Sequence, residues 1–290
     1  MAVFLENDHL VATIKEHGAE LASLRSKETG LEYIWAGDAK YWGRQAPVLF
    51  PIVGRLKDDQ YQVAGKTYHL GQHGFARDRD FAIREQTATK VVLELKADEA
   101  SKELYPFDFC LQLSYELTAS GLVVGYQVDN PSQEPIYFGI GGHPAFKTPL
   151  TPKESFSDYE LIFSADYRLP KIPLTNGLTD IESARLSAPT ATISRELFKD
   201  DALIYDLEQK PTKVSLTSKT SGHGVSLSVT NAKFMGIWST YPKEGQFVCL
   251  EPWWGLADTT DSNGDFTQKY AINRLDKAAS FNHQYEITVF

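Results

Sequence analysis

Three short segments, far apart in the chain, each place one titratable side chain among glycine and aromatic residues. The segments span residues 73–78, 141–146 and 250–258. Their titratable members are His73, His143 and Glu251. Imidazole and carboxyl groups bracket neutral pH, so two histidines and a glutamate can supply both the acid and the base of a proton transfer. The pattern predicts acid–base chemistry, provided that the fold brings the three segments together.

Two tryptophans indicate what could bind beside these groups. Trp253 and Trp254 follow Glu251 after a single proline. Aromatic rings next to polar side chains suit a sugar, because a sugar ring is apolar on its faces and polar at its rim. We therefore predict that these tryptophans contact a carbohydrate ligand.

Each of these residues also has a structural interpretation. Glu251 could be a strand-end glutamate between core tryptophans, His143 a buried structural histidine, and His73 part of a plain turn. Arg55 follows an apolar run, and could be a surface cation or a donor to ligand hydroxyls. Only the tertiary structure can decide between these interpretations.

Motifs for other chemistries are missing from the sequence. The chain has no Gly-x-Gly-x-x-Gly loop and no Gly-x-Ser-x-Gly elbow. Cys110 and Cys249 are too few for a disulfide framework and lack the spacing typical of a zinc site. The sequence thus predicts acid–base catalysis without a metal or a cofactor.

The composition is that of an ordinary globular protein. The 290 residues are 42% hydrophobic and 23% charged, with a net charge of −9 and no basic cluster. The charge argues against nucleic acid and anionic membranes as partners. The first residues lack the basic and apolar regions of a signal peptide, and no apolar run approaches the roughly 20 residues of a membrane span. These features predict a cytoplasmic protein with two free thiols.

Period-two alternation of apolar and polar residues dominates the chain. It is clearest at residues 111–118 and 122–128, and hairpins are predicted at residues 59–70 and 81–95. Helical turns are expected only at residues 98–104 and 194–198. Strands at this spacing predict an all-β, antiparallel fold with two large sheets of roughly fifteen or more strands in total. No linker interrupts the pattern, so we expect one domain over residues 1–290.

Taken together, the segments resemble the aldose 1-epimerase (galactose mutarotase) family, and most closely its shorter LacX-like branch. The similarity extends over essentially the whole chain, and the order and spacing of the segments make it specific. The segments that carry it are residues 18–24, 33–35, 51–55, 61–70, 73–78, 142–146 and 250–252. The resemblance implies the family's large β-supersandwich, in agreement with the alternation.

The resemblance also implies roles for individual residues. Glu251 resembles the family's general base, His143 its general acid and His73 its second active-site histidine. Arg55 resembles the arginine that contacts sugar hydroxyls. The implied reaction is ring opening of an aldose at C1, rotation about the bond between C1 and C2, and reclosure as the other anomer, without a metal or cofactor.

Some positions depart from galactose-type members of the family. The residues after both histidines differ, and the acidic residue that binds sugar hydroxyls is hard to place; Asp201 is the candidate. Arg77 and Arg79 could bind the phosphate of a sugar phosphate, or could pair with Asp78 and Asp80 at the surface. The expected substrate is an aldose or an aldose phosphate.

A second function remains open, from another class. The chain could be a non-catalytic carbohydrate-binding or regulatory protein with the same fold. A matched acid and base favour the enzyme, because binding alone needs only aromatic rings and groups that bind hydroxyls. We expect a monomer or a homodimer.

Overall fold

Antiparallel β-strands dominate a computed structural model that describes residues 1–165 and 168–290. The alternation of the sequence explains them. In the strand Gly121–Asp129 the buried apolar side chains are every second residue, namely Leu122, Val124, Tyr126 and Val128. One face of such a strand packs against the core while the other remains partly exposed. The all-β prediction is confirmed.

The described residues form 26 strands, numbered β1 to β26 along the chain. The first nine are Ala2–Glu6, Leu10–Lys15, Leu21–Ser26, Val48–Leu49, Gln60–Val63, Lys66–His69, Ala82–Gln86, Lys90–Lys96 and Cys110–Leu117. Strands β10 to β18 are Gly121–Asp129, Ile136–Phe138, Ile140–Gly142, Ala145–Lys147, Tyr159–Phe163, Leu169–Ile172, Leu174–Thr175, Leu178–Thr179 and Arg185–Ser187. Strands β19 to β26 are Thr190–Thr192, Leu203–Asp206, Thr212–Ser218, Gly224–Val229, Phe234–Trp238, Phe247–Trp254, Asn273–Leu275 and Ser280–Val289.

Helical structure is short. One α-helix, α1, spans Glu99–Leu104, and the Asp98 side chain caps it by accepting a hydrogen bond from the Ser101 backbone N–H at 2.6 Å. A 3₁₀ helix at Arg195–Phe198 occupies the second predicted turn. The other 3₁₀ turns are Lys57–Asp59, Ala76–Asp78, Phe156–Asp158 and Phe266–Gln268.

Two large sheets form the framework. One has nine strands in the order β19-β14-β21-β22-β26-β10-β9-β8-β7. The other has eight, in the order β18-β15-β20-β23-β24-β12-β4, with β13 paired to β24. Smaller pairings join β1-β2-β3, β5-β6, β11-β25 and β16-β17. The predicted architecture of two large antiparallel sheets is confirmed.

Strand β24 shows how the core and the opposite face are divided. Val248, Leu250 and Trp254 belong to the main buried cluster, to which both large sheets contribute. The ring of Trp254 meets that of Tyr126 from β10 edge to face, at 6.0 Å. The alternate residues of β24 point the other way, away from this core. Glu251 lies on that second face.

Candidate active site

A cavity of about 430 Å³ opens on the face of the eight-stranded sheet that is turned away from the main core. Its lining includes six of the eight predicted site residues: Glu251, His143, His73, Arg77, Asp201 and Trp253. The structure therefore brings the three sequence segments to one place, which is the condition that acid–base chemistry requires.

His143 and Glu251 face each other because of strand register. Gly141 pairs with Trp253 on one side of the break between β12 and β13, and Ala145 pairs with Cys249 on the other. Both pairs belong to the same antiparallel register, so His143 lies directly across from Glu251 even though Pro144 interrupts the strand. Side chains opposite each other in an antiparallel pair lie on the same face and in contact.

The two side chains touch. His143 Nε2 lies 3.3 Å from Glu251 Oε2, and the side chains are only 8% and 1% exposed. The His143 ring stacks on Trp42 with centroids 4.9 Å apart, and meets Trp238 edge to face at 5.6 Å. These aromatic contacts fix the plane of the imidazole, so its Nε2 stays beside the carboxyl group of Glu251.

His73 is oriented by backbone contacts with the segment around Gly54. The Gly54 N–H donates to His73 Nδ1 at 3.0 Å, and the His73 N–H donates to the Gly54 carbonyl at 2.8 Å. A backbone N–H can only donate, so Nδ1 is unprotonated and the ring proton of the neutral histidine lies on Nε2. Gly74 follows with φ of 69°, and a Cβ there would lie 2.3 Å from the Phe50 carbonyl oxygen. The turn thus requires glycine at position 74.

Burial governs the protonation of the acid–base pair. It lowers the pKa of His143 to about 3, and the positive charges of Arg77 and Arg44 act in the same direction. It raises the pKa of Glu251 well above the ordinary value, and the charge of Asp201 raises it further. Both shifts favour the uncharged pair, in which a single proton lies on Glu251.

The pKa of His73 is also lowered well below its ordinary value. Burial is the main cause, followed by His143 and the two arginines. His73 is therefore a neutral hydrogen-bond donor at neutral pH. Its ring meets the His143 ring edge to face, with centroids 5.6 Å apart.

Two arginines lie at one side of the cavity and share one carboxylate. Arg44 Nη2 is 2.9 Å from Asp78 Oδ1, and Arg77 Nε is 3.8 Å from Asp78 Oδ2. Arg77 also donates to the Gln72 carbonyl at 2.6 Å. Burial and the neighbouring Arg44 lower the pKa of Arg77 to about 10, so it remains charged at neutral pH. Two cations against one anion leave this part of the cavity with an excess positive charge.

Trp253 lies against two glycines of the neighbouring strands. A Cβ on Gly141 would lie 2.6 Å from the Trp253 ring, and a Cβ on Gly236 would lie 2.5 Å from it. The indole occupies space that only glycine leaves free. Asp201, with φ of 79°, lines the same cavity.

Two of the predicted residues lie outside the cavity lining. Arg55 is half exposed and its Nε lies 3.5 Å from Asp59 Oδ1. Trp254 is 1% exposed and stacks on His283 with centroids 5.1 Å apart, because its odd–even position on β24 turns it into the core. The prediction that Trp254 faces the ligand cavity is corrected by this placement. Arg55 lies beside Gly177, which lines the cavity, so its contact with the ligand stays a prediction.

The alternative surface pairing of Arg77 and Arg79 with Asp78 and Asp80 is only partly present. Asp78 pairs with Arg77 as considered, but also with Arg44 from a distant loop. Arg79 lies over the Phe75 ring at 5.7 Å, and Asp80 contacts His17 at 2.8 Å. Arg79 is not among the cavity-lining residues.

Sequence reasoning missed several residues of the site. Trp42, Arg44, Gln72 and Trp238 line the cavity. Trp42 and Arg44 flank a glycine, which is the same mixture of residue types as in the other segments and could have pointed to them. The sequence around Trp238, by contrast, is typical of an ordinary strand. Its place depends on its pairing with Cys249 across β23 and β24.

His143, Cys249 and Glu251 also form a compact group of possible metal ligands. One ligand atom from each lies within 4.8 Å of the others, and all three residues are buried. The spacing of cysteines along the sequence gave no sign of this group, because its members come from two paired strands.

A larger cavity lies elsewhere, on the exposed face of the nine-stranded sheet. It measures about 770 Å³ and is lined largely by amide and hydroxyl side chains, including Gln112, Gln127 and Asn282. The acid–base pair lies in the smaller cavity, which is therefore the candidate active site. Within the described ranges, every helix is too short or too polar to cross a membrane.

Comparison with known proteins agrees with the fold. The profile of a family described as "Aldose 1-epimerase" matches residues 1–272. The chromosomal protein LacX of Lactococcus lactis subsp. lactis is 30% identical over 300 residues, which cover 100% of this chain and 99% of LacX.

Two solved structures share both fold and sequence with this chain. A galactose mutarotase related enzyme from Lactobacillus acidophilus superposes with a TM-score of 0.98 at 41% identity, over 100% of this chain and 97% of the other. A galactose mutarotase-like protein from Lactobacillus casei ATCC 334 gives a TM-score of 0.93 at 29% identity, over 100% of both chains.

Proposed function

This chain belongs to the aldose 1-epimerase family, and we propose that it interconverts the α and β anomers of an aldose or aldose phosphate. The observation that carries the proposal is the contact between His143 and Glu251, a proton donor and a proton acceptor 3.3 Å apart at the base of a cavity. The anomeric hydroxyl and the ring oxygen of a sugar are both bonded to C1, so two groups this close can act on both oxygens at once.

In the proposed reaction, Glu251 accepts the proton of the anomeric hydroxyl and His143 donates a proton to the ring oxygen. The bond between C1 and the ring oxygen breaks, and C1 becomes an aldehyde. After rotation about the bond between C1 and C2, the ring closes on the other face of the carbonyl with both proton transfers reversed. The pair then has its initial protonation again, and no other reactant is consumed.

This assignment requires the charged form of the pair, with a carboxylate and an imidazolium. Burial favours the uncharged form, so the proton must pass from Glu251 to His143 before the ring opens. Both forms carry one proton in total. Activity therefore depends on the pair holding one proton, and is lost when it gains a second or releases the last.

The remaining residues of the cavity are proposed to hold the sugar. The Nε2–H of His73 donates a hydrogen bond to a sugar oxygen. Asp201 accepts from sugar hydroxyls, and Trp253 offers an aromatic contact to the ring. The surplus charge at Arg44 and Arg77 suits an anionic substituent, which favours the phosphorylated member of the proposed substrate pair.

The test is anomer exchange by the native protein on a panel of aldoses and their 6-phosphates. Saturation-transfer NMR or polarimetry measures the rate against a buffer control. A rate above the control on one of these sugars supports the enzyme. A protein that binds sugar without accelerating exchange on any of them is the non-catalytic carbohydrate-binding protein instead.

We further propose that residues 1–290 act as one domain, as a monomer or a homodimer in the cytoplasm. The main buried cluster, which draws on residues from Val3 to Ile287, supports the single domain. Size-exclusion chromatography with light scattering measures the oligomeric state. Limited proteolysis tests the domain, because a second folded unit would give a stable fragment.

A further inference from the structure

We infer that the base of the cavity is also a Zn²⁺ site, formed by His143, Cys249 and Glu251, at which the ion excludes the sugar. The competition with sugar rests on the proposed function, whereas binding of the ion does not. The ion acts here as an inhibitor, which makes the site a point at which metal availability regulates the protein.

The strand geometry collects the three ligands. Cys249 and Glu251 are two residues apart on β24, so their side chains share the face turned away from the main core. His143 lies across from Glu251 in the antiparallel register. One ligand atom from each residue lies within 4.8 Å of the others. The group is therefore built into the sheet rather than assembled from mobile loops.

The ligand atoms are buried and one of them lacks any hydrogen-bond partner. Glu251 Oε2 is 3.3 Å from His143 Nε2, but the two are not aligned for a hydrogen bond, and no other protein group among the described residues satisfies this oxygen. Cys249 is completely buried. A buried carboxyl oxygen without a partner is costly, and a cation bound to it removes that cost.

The chemistry of the three groups favours zinc over Mg²⁺ and Ca²⁺. Thiolate sulfur, imidazole nitrogen and carboxylate oxygen are the three ligand types of zinc sites, whereas Mg²⁺ and Ca²⁺ prefer oxygen ligands alone. On binding, the Cys249 thiol and the protonated Glu251 carboxyl group each release one proton to solvent. The thiolate and the carboxylate then balance the two charges of the ion, which leaves the buried site neutral.

The distances require only a small contraction. Tetrahedral zinc with bonds of about 2.0–2.3 Å places its ligand atoms roughly 3.5 Å apart. The three ligand atoms lie within 4.8 Å of one another, so the most distant pair must approach by at most about 1.3 Å. His143 and Glu251 line the cavity, which provides the path of entry. The fourth position of the ion faces the same cavity, where the sugar is proposed to react.

Cobalt(II) titration of the native protein tests the site directly. Cobalt replaces zinc in such sites, and a thiolate bound to it gives an intense near-ultraviolet charge-transfer band. We expect one equivalent to produce this band and Zn²⁺ to abolish it by displacement. A native protein that shows no thiolate band and no saturable Zn²⁺ binding by calorimetry overturns the inference.

Two matched cysteine variants locate the ligand. Cys249→Ser should abolish the band and weaken Zn²⁺ binding on the order of tenfold or more, because a hydroxyl is a poor zinc ligand. Cys110→Ser removes the other thiol, which lies on β9 beside Glu94, and should change neither. Equal Zn²⁺ affinity in Cys249→Ser and the native protein would place the ion elsewhere. If Cys249→Ser does not fold, Glu251→Gln serves as the test instead, and it must weaken Zn²⁺ binding on the order of tenfold or more.

Inhibition is measured separately from binding. Zn²⁺ should slow anomer exchange competitively with sugar, and a chelator should restore the rate. Each variant is compared with its own metal-free rate. If an active protein binds Zn²⁺ and its cobalt form shows the thiolate band, but Zn²⁺ does not inhibit exchange, the competition with sugar is refuted. If the protein has no exchange activity at all, only the proposed function is refuted, and the binding results still decide whether the metal site exists.

Discussion

Replacement of Glu251 by glutamine should separate the catalytic role of this residue from its effect on stability. The side chain is 1% exposed, and glutamine has nearly the same shape, so the substitution creates no cavity. An amide can still bond to a hydroxyl but cannot accept its proton as a carboxylate does. The variant therefore removes one proton acceptor and leaves the packing of the site in place.

The expected loss of rate follows from this single change. A positioned base contributes on the order of 10²–10⁴-fold, so we expect the exchange rate to fall by about 10²-fold or more, equivalent to about 2.7 kcal/mol or more in the barrier. Sugar affinity should change little, because the hydrogen bond to the hydroxyl remains.

Stability should change in the opposite direction. Burial raises the pKa of Glu251 in the folded protein, so the folded state keeps a proton that the unfolded state releases. Stability therefore falls as the pH rises above the ordinary pKa of a glutamate. Glutamine carries no such cost. The variant should therefore be more stable than the native protein at neutral pH, and this advantage should disappear as the pH falls below the ordinary pKa of a glutamate.

The assays are NMR anomer exchange and urea unfolding at several pH values. Glu116→Gln is the matched control, because Glu116 is an exposed residue of β9 on the other large sheet. The control should keep both the rate and the stability of the native protein. A Glu251→Gln variant with the native rate would refute its role as base, and one less stable than the native protein at neutral pH would refute the argument from burial.

Three further predictions concern the cavity and the core. Arg77→Ala should reduce the rate on a hexose 6-phosphate relative to the free hexose by about tenfold or more, since a charge-assisted bond contributes about 1.5–3 kcal/mol; equal effects on both sugars would exclude phosphate recognition by this arginine. Gly236→Ala should lower the free energy of unfolding by about 1–3 kcal/mol and raise KM, because its Cβ would lie 2.5 Å from the Trp253 ring and push the indole into the cavity; thermal unfolding and steady-state kinetics measure both. Glu154 accepts hydrogen bonds from Ser218 and Tyr159, and its pKa is lowered from 4.5 to about 2. Its contribution to the free energy of unfolding is therefore fully present above pH 4.5 and is lost as the pH falls toward about 2. Glu154→Gln should cost at most about 3 kcal/mol at neutral pH and flatten the decline in stability between about pH 5 and about pH 2, and an unchanged urea midpoint would contradict this.

The sequence by itself determined the β-architecture and the identity of the central site residues. Alternation of apolar and polar residues is a local property, since each strand must bury one face whatever its partners are. The short segments around His73, His143 and Glu251 were recognisable because each places a titratable side chain directly among glycine and aromatic residues. Their catalytic roles stay predictions.

Only the tertiary structure decided which neighbouring residues join them. Trp253 faces the cavity and Trp254 the core, a difference of one position that depends on which face of β24 the sheet buries. His143 lies across from Glu251 because of register between strands more than a hundred residues apart in the chain. Cys249 enters the site by the same kind of long-range pairing, whereas Arg44 comes from a distant loop and pairs with Asp78. Such pairings are set by how whole sheets pack, and no local pattern in one strand specifies its partner.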